Sequence, residues 1–382
     1  GRIDGIFDIS EDQSETKIEE IKSSFNIFEL SKRIRDAGID HPYCLQLLTY
    51  GYIHWLQNHK KPVLTLHLIS SRNFESMDLD IELDIVKYEA WMNRRLLELV
   101  DEVKLAEKRV KRRSQASENF QFPFTKPRSG QIELIQTIQD GMKENQPMLL
   151  QAPTGLGKTV GVLYPTLQEA LSRGQKVIYL TPKNSQHAVA EEAIEKLQDN
   201  GANIKGMTLT AKSKMCFKNE PLCNPEYCEF AKDQYTKVAE NKIIEKLSKK
   251  KRLSSKVFKT IAEEYQCCPF ELQLDAAQDM DTVICDYNYV FAPRSAFGRL
   301  ASSGLISEGK PNLVIDEAHN LPARAMDYYS PSLSVTTLEK MRSDLHLIPL
   351  TYRRQVDDLF DDCIGVVKSS APKNISAPMK IS

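Results

Sequence analysis

Two groups of residues in this chain have types and spacings suited to chemistry on phosphates. Ala152-Pro153-Thr154-Gly155-Leu156-Gly157-Lys158-Thr159 has the layout of a loop whose backbone N–H groups cradle phosphate at a helix N-terminus. Its one departure from the strict pattern is Ala152, where glycine is asked for. In such a loop Lys158 lies against the β- and γ-phosphates and Thr159 binds magnesium. Asp316-Glu317-Ala318-His319 supplies the complement: Asp316 for the magnesium shell, Glu317 for the attacking water, and His319 beside them. Together these residues describe ATP hydrolysis. The second group lies near the start, where Gly1-Arg2-Ile3-Asp4-Gly5 precedes Lys17-Ile18-Glu19-Glu20-Ile21-Lys22. On a strand Glu20 and Lys22 share a face. Asp4 and Glu20 with Lys22 make two carboxylates and an ammonium that can hold Mg2+ and orient water for phosphodiester cleavage. Gln46 and Tyr50, four residues apart in an apolar stretch, share one helix face.

Five of the eight cysteines are clustered. Cys44, Cys285 and Cys363 read as small buried hydrophobes. Cys216, Cys223, Cys228 and the pair Cys267-Cys268 fall between the two ATPase motifs. In a reducing compartment disulfides are disfavoured, which leaves an iron-sulfur cluster, a zinc ion or no metal. Zinc modules favour close C-x2-C pairs, whereas clusters accept varied spacing with one distant thiolate. Spacing alone leaves the choice open. Cys268 precedes Pro269, whose ring fixes the local backbone, and it is the better fourth ligand.

These residues need strands and helix ends to position them. Met148-Leu149-Leu150 before the phosphate loop, Val177 to Leu180, and Leu313-Val314-Ile315 before Asp316 read as short buried strands. Alternation with helical segments predicts a parallel α/β sheet. A charged helical stretch spans 83–112, with Trp91, Leu96, Leu97 and Val100 on its apolar side. The predicted domains are 1–114, a linker at 115–119, an ATP-binding domain at 120–320 with a cysteine insert at 207–272, and a further domain beginning at 321–382, with helical pieces near 337–345 and 352–360. With 51 Lys+Arg against 52 Asp+Glu, no global cationic field announces a nucleic-acid partner, so such binding must come from local patches. No apolar run approaches the ~20 residues that span a bilayer, and the start lacks a signal-peptide layout. The expectation is a cytoplasmic protein, monomeric, without membrane contact, and a fragment open at both ends.

The order of motifs, a phosphate loop, a cysteine insert, Cys268-Pro269-Phe270, Asp286-Tyr287-Asn288-Tyr289-Val290-Phe291 and then DEAH, resembles the iron-sulfur branch of superfamily 2 DNA helicases, the XPD and DinG family. The resemblance covers about residues 119 to 382. It implies a RecA-like P-loop motor, a [4Fe-4S] cluster on Cys216, Cys223, Cys228 and Cys268, the start of an arch domain, and 5′-to-3′ movement on single-stranded DNA with forked duplex as substrate. It also implies work in DNA repair. Phe122-Pro123-Phe124, Arg128 and Gln131 correspond to the family's adenine-recognition segment. Thr181, Pro182 and Lys183 resemble a motif that touches the DNA backbone, and Tyr287, Asn288 and Tyr289 are candidates for contact with unpaired bases. The lysine-rich run from Lys232 to Lys259 is either a solvated face or a phosphate-binding one.

The first third resembles the PD-(D/E)xK nucleases of the RecB/Cas4 type, through Asp4, Glu20-x-Lys22 and Gln46-x-x-x-Tyr50. That implies a partial α/β nuclease domain. Two other readings remain at this level. One is a nucleic-acid sensor built on zinc or a cluster, and the other is a nuclease gated by ATP without unwinding. RNA is the nearer alternative to DNA as substrate.

Overall fold

Leu64, Leu66 and Leu68 are fully buried and alternate along one strand, the period-two pattern of a strand with one face on a core. The computed structural model describes residues 2–9, 15–153, 155–182, 186–219, 223, 228–293, 310–330, 332–348 and 350–370. The chain divides into two compact units, Gly1–Leu105 and Ala106–Ser382.

The first unit contains β1 (Gly5–Asp8), β2 (Thr16–Ser24), α1 (Ile27–Ala37), α2 (Pro42–Asn58), β3 (Val63–Ser70) and β4 (Ser76–Ile81). The strands form one sheet in the order β1-β2-β3-β4. β2 and β3 run parallel, with Glu20 opposite Leu66, and the outer strands are antiparallel to them. The β2-to-β3 crossover is therefore made by α1 and α2, whose apolar sides cover the sheet through Ile27, Leu30, Ile34, Leu47 and Leu48. Asn26 caps α1 by accepting the Glu29 N–H. Pro42 begins α2 without a wasted donor. Gly51 lets α2 lie close on β3, because a Cβ there would meet Leu64 at 2.7 Å. That approach brings the Gln46 face of α2 over β2.

A long helix, α3 (Ile85–Glu118), begins in the first unit and ends in the second. The linker expected at 115–119 is helical through Glu118, and the division between units falls after Leu105. The cause lies in the helix's basic end. Arg113 is fully buried and pairs with the buried Asp281 at 3.0 Å, and Arg109 reaches Asp279 at 3.2 Å. A buried guanidinium persists only where such partners exist.

The second unit continues with α4 (Gln131–Lys143), α5 (Lys158–Ser172), β5 (Val177–Thr181), α6 (His187–Asp199), β6 (Gly206–Thr208), α7 (Lys212–Met215), α8 (Gln234–Glu240), α9 (Ile243–Ser248), β7 (Arg252–Leu253), α10 (Ser255–Tyr265), α11 (Pro269–Ala276), β8 (Thr282–Asp286), α12 (Asn288–Phe291) and β9 (Asn312–Ile315). All pairings are parallel, in the order β7-β6-β8-β5-β9. This is the expected α/β sheet. Every residue of β5 is buried, as in a strand covered on both faces. Ile178 and Leu180 face a core made with the insert helices, while Val177 and Tyr179 face one made with α5 and α6.

The strand expected at Met148–Leu150 does not form, and Leu149 is 92% exposed. Pro147 and Pro153 bracket this short run and lack N–H donors for a ladder. The cysteine insert lies between β6 and β8. Its lysine-rich run breaks into α8, α9 and α10 rather than one helix, with β7 among them on the sheet edge. Two of its lysines serve packing: Lys237 donates to the carbonyls of Glu229 and Gln266, and Lys246 donates to the Tyr265 hydroxyl at 2.6 Å. The last segment is α13 (Leu321–Tyr329), α14 (Val335–Ser343) and α15 (Leu350–Ser370). Arg342 joins the last two through Asp357 and Asp361, each at 2.6 Å.

Candidate active sites

In the first unit β2 and α2 bring the predicted residues together. Glu20 is only 2% exposed. Its Oε1 accepts from Lys22 Nζ at 2.6 Å and from Gln46 Nε2 at 2.7 Å. Lys22 also donates to Gln46 Oε1 at 3.0 Å and stands 5.1 Å from the centre of the Tyr43 ring. Gln46 reaches the Tyr50 hydroxyl at 3.1 Å, and that hydroxyl donates to the Arg2 carbonyl, also at 3.1 Å. Asp4 Oδ2 accepts the Ile21 N–H at 2.9 Å, so Asp4 is tied to β2 at the residue next to Glu20. Asp4, Glu20, Lys22, Gln46 and Tyr50 thus form one connected arrangement. Tyr43 joins it and was not anticipated, although it opens the same apolar helix.

The other oxygen of Glu20, Oε2, is buried and has no hydrogen-bond partner among the described residues. A carboxylate oxygen left so is costly unless something cationic or protic meets it. With Asp4 nearby, the donors are hard oxygens of the kind Mg2+ prefers. Lys22 and Gln46 hold the inner oxygen of Glu20 fixed, and these two carboxylates are of the type that would suit magnesium, though among the described residues they are not joined by a third acid or histidine into a metal-holding group.

In the second unit, Gly155 and Gly157 adopt φ of +84° and +78°, which side chains with a Cβ rarely adopt. Gly157 caps α5, so the helix and its N–H groups begin at Lys158 and Thr159. Arg128 donates to the Gly155 carbonyl and Gln131 Nε2 to the Gly157 carbonyl at 3.3 Å. Gln131 Oε1 accepts the Arg128 N–H at 3.0 Å. Gln131 is 2% exposed. Its amide is hydrogen-bonded at both ends, to the Arg128 N–H and to the Gly157 carbonyl. Ala152 is half-buried and Pro153 exposed before the turn, Leu156 lies within it, and Thr154 lies outside the described residues. A cavity of about 270 Å³ runs beside the loop, lined by Phe124, Arg128, Gln131, Gly157, Thr159 and Lys196. Phe122 packs edge-on against Phe124 at 5.6 Å.

β9 carries the DEAH residues to the same sheet edge. The Asp316 N–H extends the pairing to the Leu180 carbonyl at 2.9 Å. Glu317 takes a left-handed φ of +50° and its N–H returns to Asp316 Oδ1 at 3.1 Å. His319 Nδ1 lies 3.4 Å from Glu317 Oε2. Tyr179, buried in β5, lies close enough to both motifs for Asp316 and Thr159 to act on its phenol. Burial and the Asp316 carboxylate push its phenol far above the ordinary range, so it stays a donor. Its signal in the sequence was a polar-tipped aromatic within an otherwise aliphatic central strand.

Tyr287 is fully buried, and its hydroxyl donates to the carbonyls of Asp316 and, at 3.1 Å, Glu317. Burial, with the Asp316 and Glu317 carboxylates, pushes it up to about 12. It holds the DEAH turn and has no ring face to offer a base, contrary to expectation. Asn288 is exposed and Tyr289 half-buried, the latter pushed up to about 12 mainly by burial. Thr181 and Pro182 are buried at the end of β5, where the Pro182 carbonyl accepts from Arg324 at 3.0 Å. Lys183 lies outside the described residues.

Cys216 ends α7, Cys228 is buried and Cys268 precedes α11. Lys218 feels the charges of Cys216 and Cys228, and Lys212 those of Cys223 and Cys268, with Cys223 hydrogen-bonded to Lys212. Burial raises both Cys267 and Cys268, the former to about 11. The four expected ligands thus lie around two lysines. Among the described residues, no three His, Cys, Asp or Glu side chains close into a metal-holding group. No described helix is long and apolar enough to cross a membrane.

Residues 179–338 match the family model described as DEAD_2, and residues 128–228 that of the DEAD/DEAH box helicases. The chain is 25% identical over 246 residues to a probable ATP-dependent helicase of Methanocaldococcus jannaschii, covering 62% of this chain and 35% of that protein. It is 22% identical over 276 residues to the general transcription and DNA repair factor IIH helicase subunit XPD of Arabidopsis thaliana, covering 62% and 34%. The chain thus spans about a third of the length of these curated relatives. A solved XPD helicase structure superposes with a TM-score of 0.48 at 20% identity, over 68% of this chain and 44% of that one.

Proposed function

We propose that the second unit is the ATP-binding half of an ATP-dependent DNA helicase of XPD type. The observation that carries this reading is that the loop with Gly155 and Gly157 at positive φ starts α5 at Lys158 and Thr159, while β9, paired with β5 in the same parallel sheet, leads into Asp316, because Thr159 and Asp316 must share one magnesium ion in a phosphate-loop hydrolase. The matches to DEAD/DEAH and DEAD_2 models support it. In this reading Lys158 and the α5 N–H groups take the phosphates, and Glu317 orients the attacking water with His319 beside it. Arg128 and Gln131 shape the loop formed by Ala152, Pro153, Thr154, Gly155, Leu156 and Gly157. Asn288 and Tyr289, after β8, are the proposed DNA contacts on this unit, with Thr181, Pro182 and Lys183 proposed as the backbone-touching motif. The cysteines Cys216, Cys223, Cys228 and Cys268 are the proposed [4Fe-4S] ligands, supported by their family-like order and their shared lysines. The DEAH subtype, 5′-to-3′ direction on single-stranded DNA, forked-duplex substrate and a role in repair complete the proposal.

In the full protein, Lys158→Ala should abolish DNA-stimulated ATP hydrolysis, a loss on the order of 10³-fold. Normal turnover in that variant refutes the motor assignment. Strand displacement from 5′-tailed but not 3′-tailed duplexes is the expected polarity. An ATP-gated nuclease without unwinding predicts no displacement from either. Anaerobic iron and sulfide analysis should find iron that is lost in Cys228→Ser and Cys268→Ser; zinc in its place favours the sensor reading.

A second activity is proposed for the first unit, metal-dependent phosphodiester cleavage by a PD-(D/E)xK-type site. The Glu20 Oε2, without a hydrogen-bond partner among the described residues, and Asp4, tied to the neighbouring Ile21 N–H, support it. Cleavage of DNA that requires Mg2+ and vanishes in Glu20→Gln is the expected result; cleavage that survives this change assigns the nuclease elsewhere.

A further inference from the structure

Three aromatic side chains of the first unit stand in water around one end of its sheet. β2 and β3 end in register, Ser24 opposite Ser70, and the Ser71 N–H donates to the Ser24 carbonyl at 2.9 Å. The segments following the two strands therefore lie side by side. Phe25, 68% exposed, and Phe28, 66% exposed, follow β2, while Phe74, 84% exposed, occupies the turn from β3 to β4. Phe74 also holds φ at +60°, a left-handed conformation that is an outlier for a bulky residue and marks a backbone strained for some purpose.

Charge accompanies these rings. The Arg72 guanidinium lies 5.6 Å from the centre of the Phe25 ring. On α1, Phe28, Lys32 and Arg35 follow at four- and three-residue steps and are all exposed, so they form one stripe. Glu29 and Asp36 fall on the adjacent face, about 100° around the helix, and Glu75 is the exposed acid next to Phe74. A cationic stripe leading from protruding rings favours a polyanion with stackable faces over an apolar protein surface. Bases in a duplex are already stacked on one another, whereas unpaired bases gain by stacking on aromatic side chains.

We propose that this end of the first unit is a docking platform for single-stranded nucleic acid, with Phe25, Phe28 and Phe74 stacking on bases and Arg72, Lys32 and Arg35 meeting phosphates. Phe25 lies five residues beyond Glu20, about 16 Å along an extended chain at 3.3 Å per residue. A strand held there is placed to feed the Glu20 site. Only that feeding role rests on the nuclease reading; the binding surface does not.

The test is photo-crosslinking of the whole chain to a single-stranded oligonucleotide containing 5-iododeoxyuridine, with the adducts mapped by mass spectrometry. Adducts are expected on Phe25, Phe28 or Phe74, competed by unlabelled single strand and not by duplex. They should fall about tenfold in the double variant Phe25→Ala/Phe74→Gly, whose thermal unfolding should match the parent. Glu20→Gln should abolish cleavage and leave the adducts intact, which separates failure of the platform from failure of the nuclease. Absence of adducts on these residues, or equal competition by duplex, overturns the proposal. So does a dimer in sedimentation that the double variant dissociates, which would make a second copy of the chain the occupant.

Discussion

Two buried carboxylates, one in each unit, are treated in opposite ways. Asp281, wholly inaccessible at the amino edge of the parallel sheet, has both oxygens saturated. Oδ1 accepts from Arg113 at 3.0 Å and from Arg112, and Oδ2 accepts from Arg112 at 3.0 Å and from the Lys205 N–H at 2.8 Å. Glu20, nearly as buried, has Oε1 shared by Lys22 and Gln46 and Oε2 shared with nothing among the described residues. A carboxylate with every lone-pair direction used belongs to the fold. One with an oxygen held open at a cost is poised for a ligand, because the partners that fix it do not consume it.

That contrast breaks first at Asp281. Asp281→Ala strands the buried Arg113 guanidinium and the Lys205 N–H, and should destabilise the second unit by about 3–5 kcal/mol, lowering its Tm by about 10 °C. Denaturant and thermal unfolding of the whole chain measure it. A cost under about 1 kcal/mol would mean that water or rearranged carbonyls replace the carboxylate, and the saturated network would lose its structural meaning.

Glu20 should behave in reverse. Glu20→Gln keeps the acceptor that Lys22 and Gln46 use but removes the charge at the open oxygen. Metal-dependent cleavage should fall by about 10²–10³-fold, with folding stability within about 1 kcal/mol of the parent. Paired Mg2+ titration calorimetry and thermal unfolding separate the two effects. A variant that loses fold and metal affinity together would place Glu20 in the same class as Asp281.

Tyr287 sharpens the comparison, since it is a saturated buried group that serves a site. Its hydroxyl holds the Asp316 and Glu317 carbonyls in the turn where Glu317 takes a positive φ. Tyr287→Phe leaves those carbonyls without the phenol and should lower kcat for ATP hydrolysis about tenfold with KM little changed. It should cost about 1 kcal/mol of stability. An equal change in kcat and KM would point to nucleotide binding rather than to placement of Glu317.

Much of this was legible in the residues. The spacing Glu20-x-Lys22 and Gln46-x-x-x-Tyr50 located a network that the fold closes through the short approach of α2 at Gly51. Gly155 and Gly157 announced a loop with positive φ. What pattern reading missed was tertiary. Nothing local distinguishes Tyr287, whose hydroxyl holds a turn about 30 residues later, from an aromatic that stacks on bases. The apolar run Met148–Leu150 has strand composition but no partner among the described residues. The polar composition of 115–119 suggested a linker, but the helix runs on to Glu118 because Arg112 and Arg113 just before that segment find their partners in Asp281, about 170 residues away.

A third carboxylate completes the series with the smallest expected effect. Asp275, half-buried on α11, is raised to about 6, chiefly by burial, with the Glu271 carboxylate adding to it. Neither full saturation nor a ligand-facing role compensates for its desolvation, and it answers by holding its proton. A raised acid binds its proton more tightly folded than unfolded. Below about pH 4 both states are protonated and the residue has no effect on stability. Between about pH 4 and 6 the unfolded chain ionises first, so stability falls as pH rises, and above about pH 6 the loss is constant. The rise from the ordinary aspartate range to about 6 corresponds to at most about 3 kcal/mol, and contact with solvent reduces this to about 1 kcal/mol. Asp275→Asn should therefore raise the unfolding free energy at pH 7 by about 1 kcal/mol and leave it unchanged at pH 4. The check is urea unfolding of both proteins at the two pH values. A stabilisation of equal size at pH 4 and pH 7 would trace the gain to packing of the amide rather than to the proton, and would remove Asp275 from the comparison.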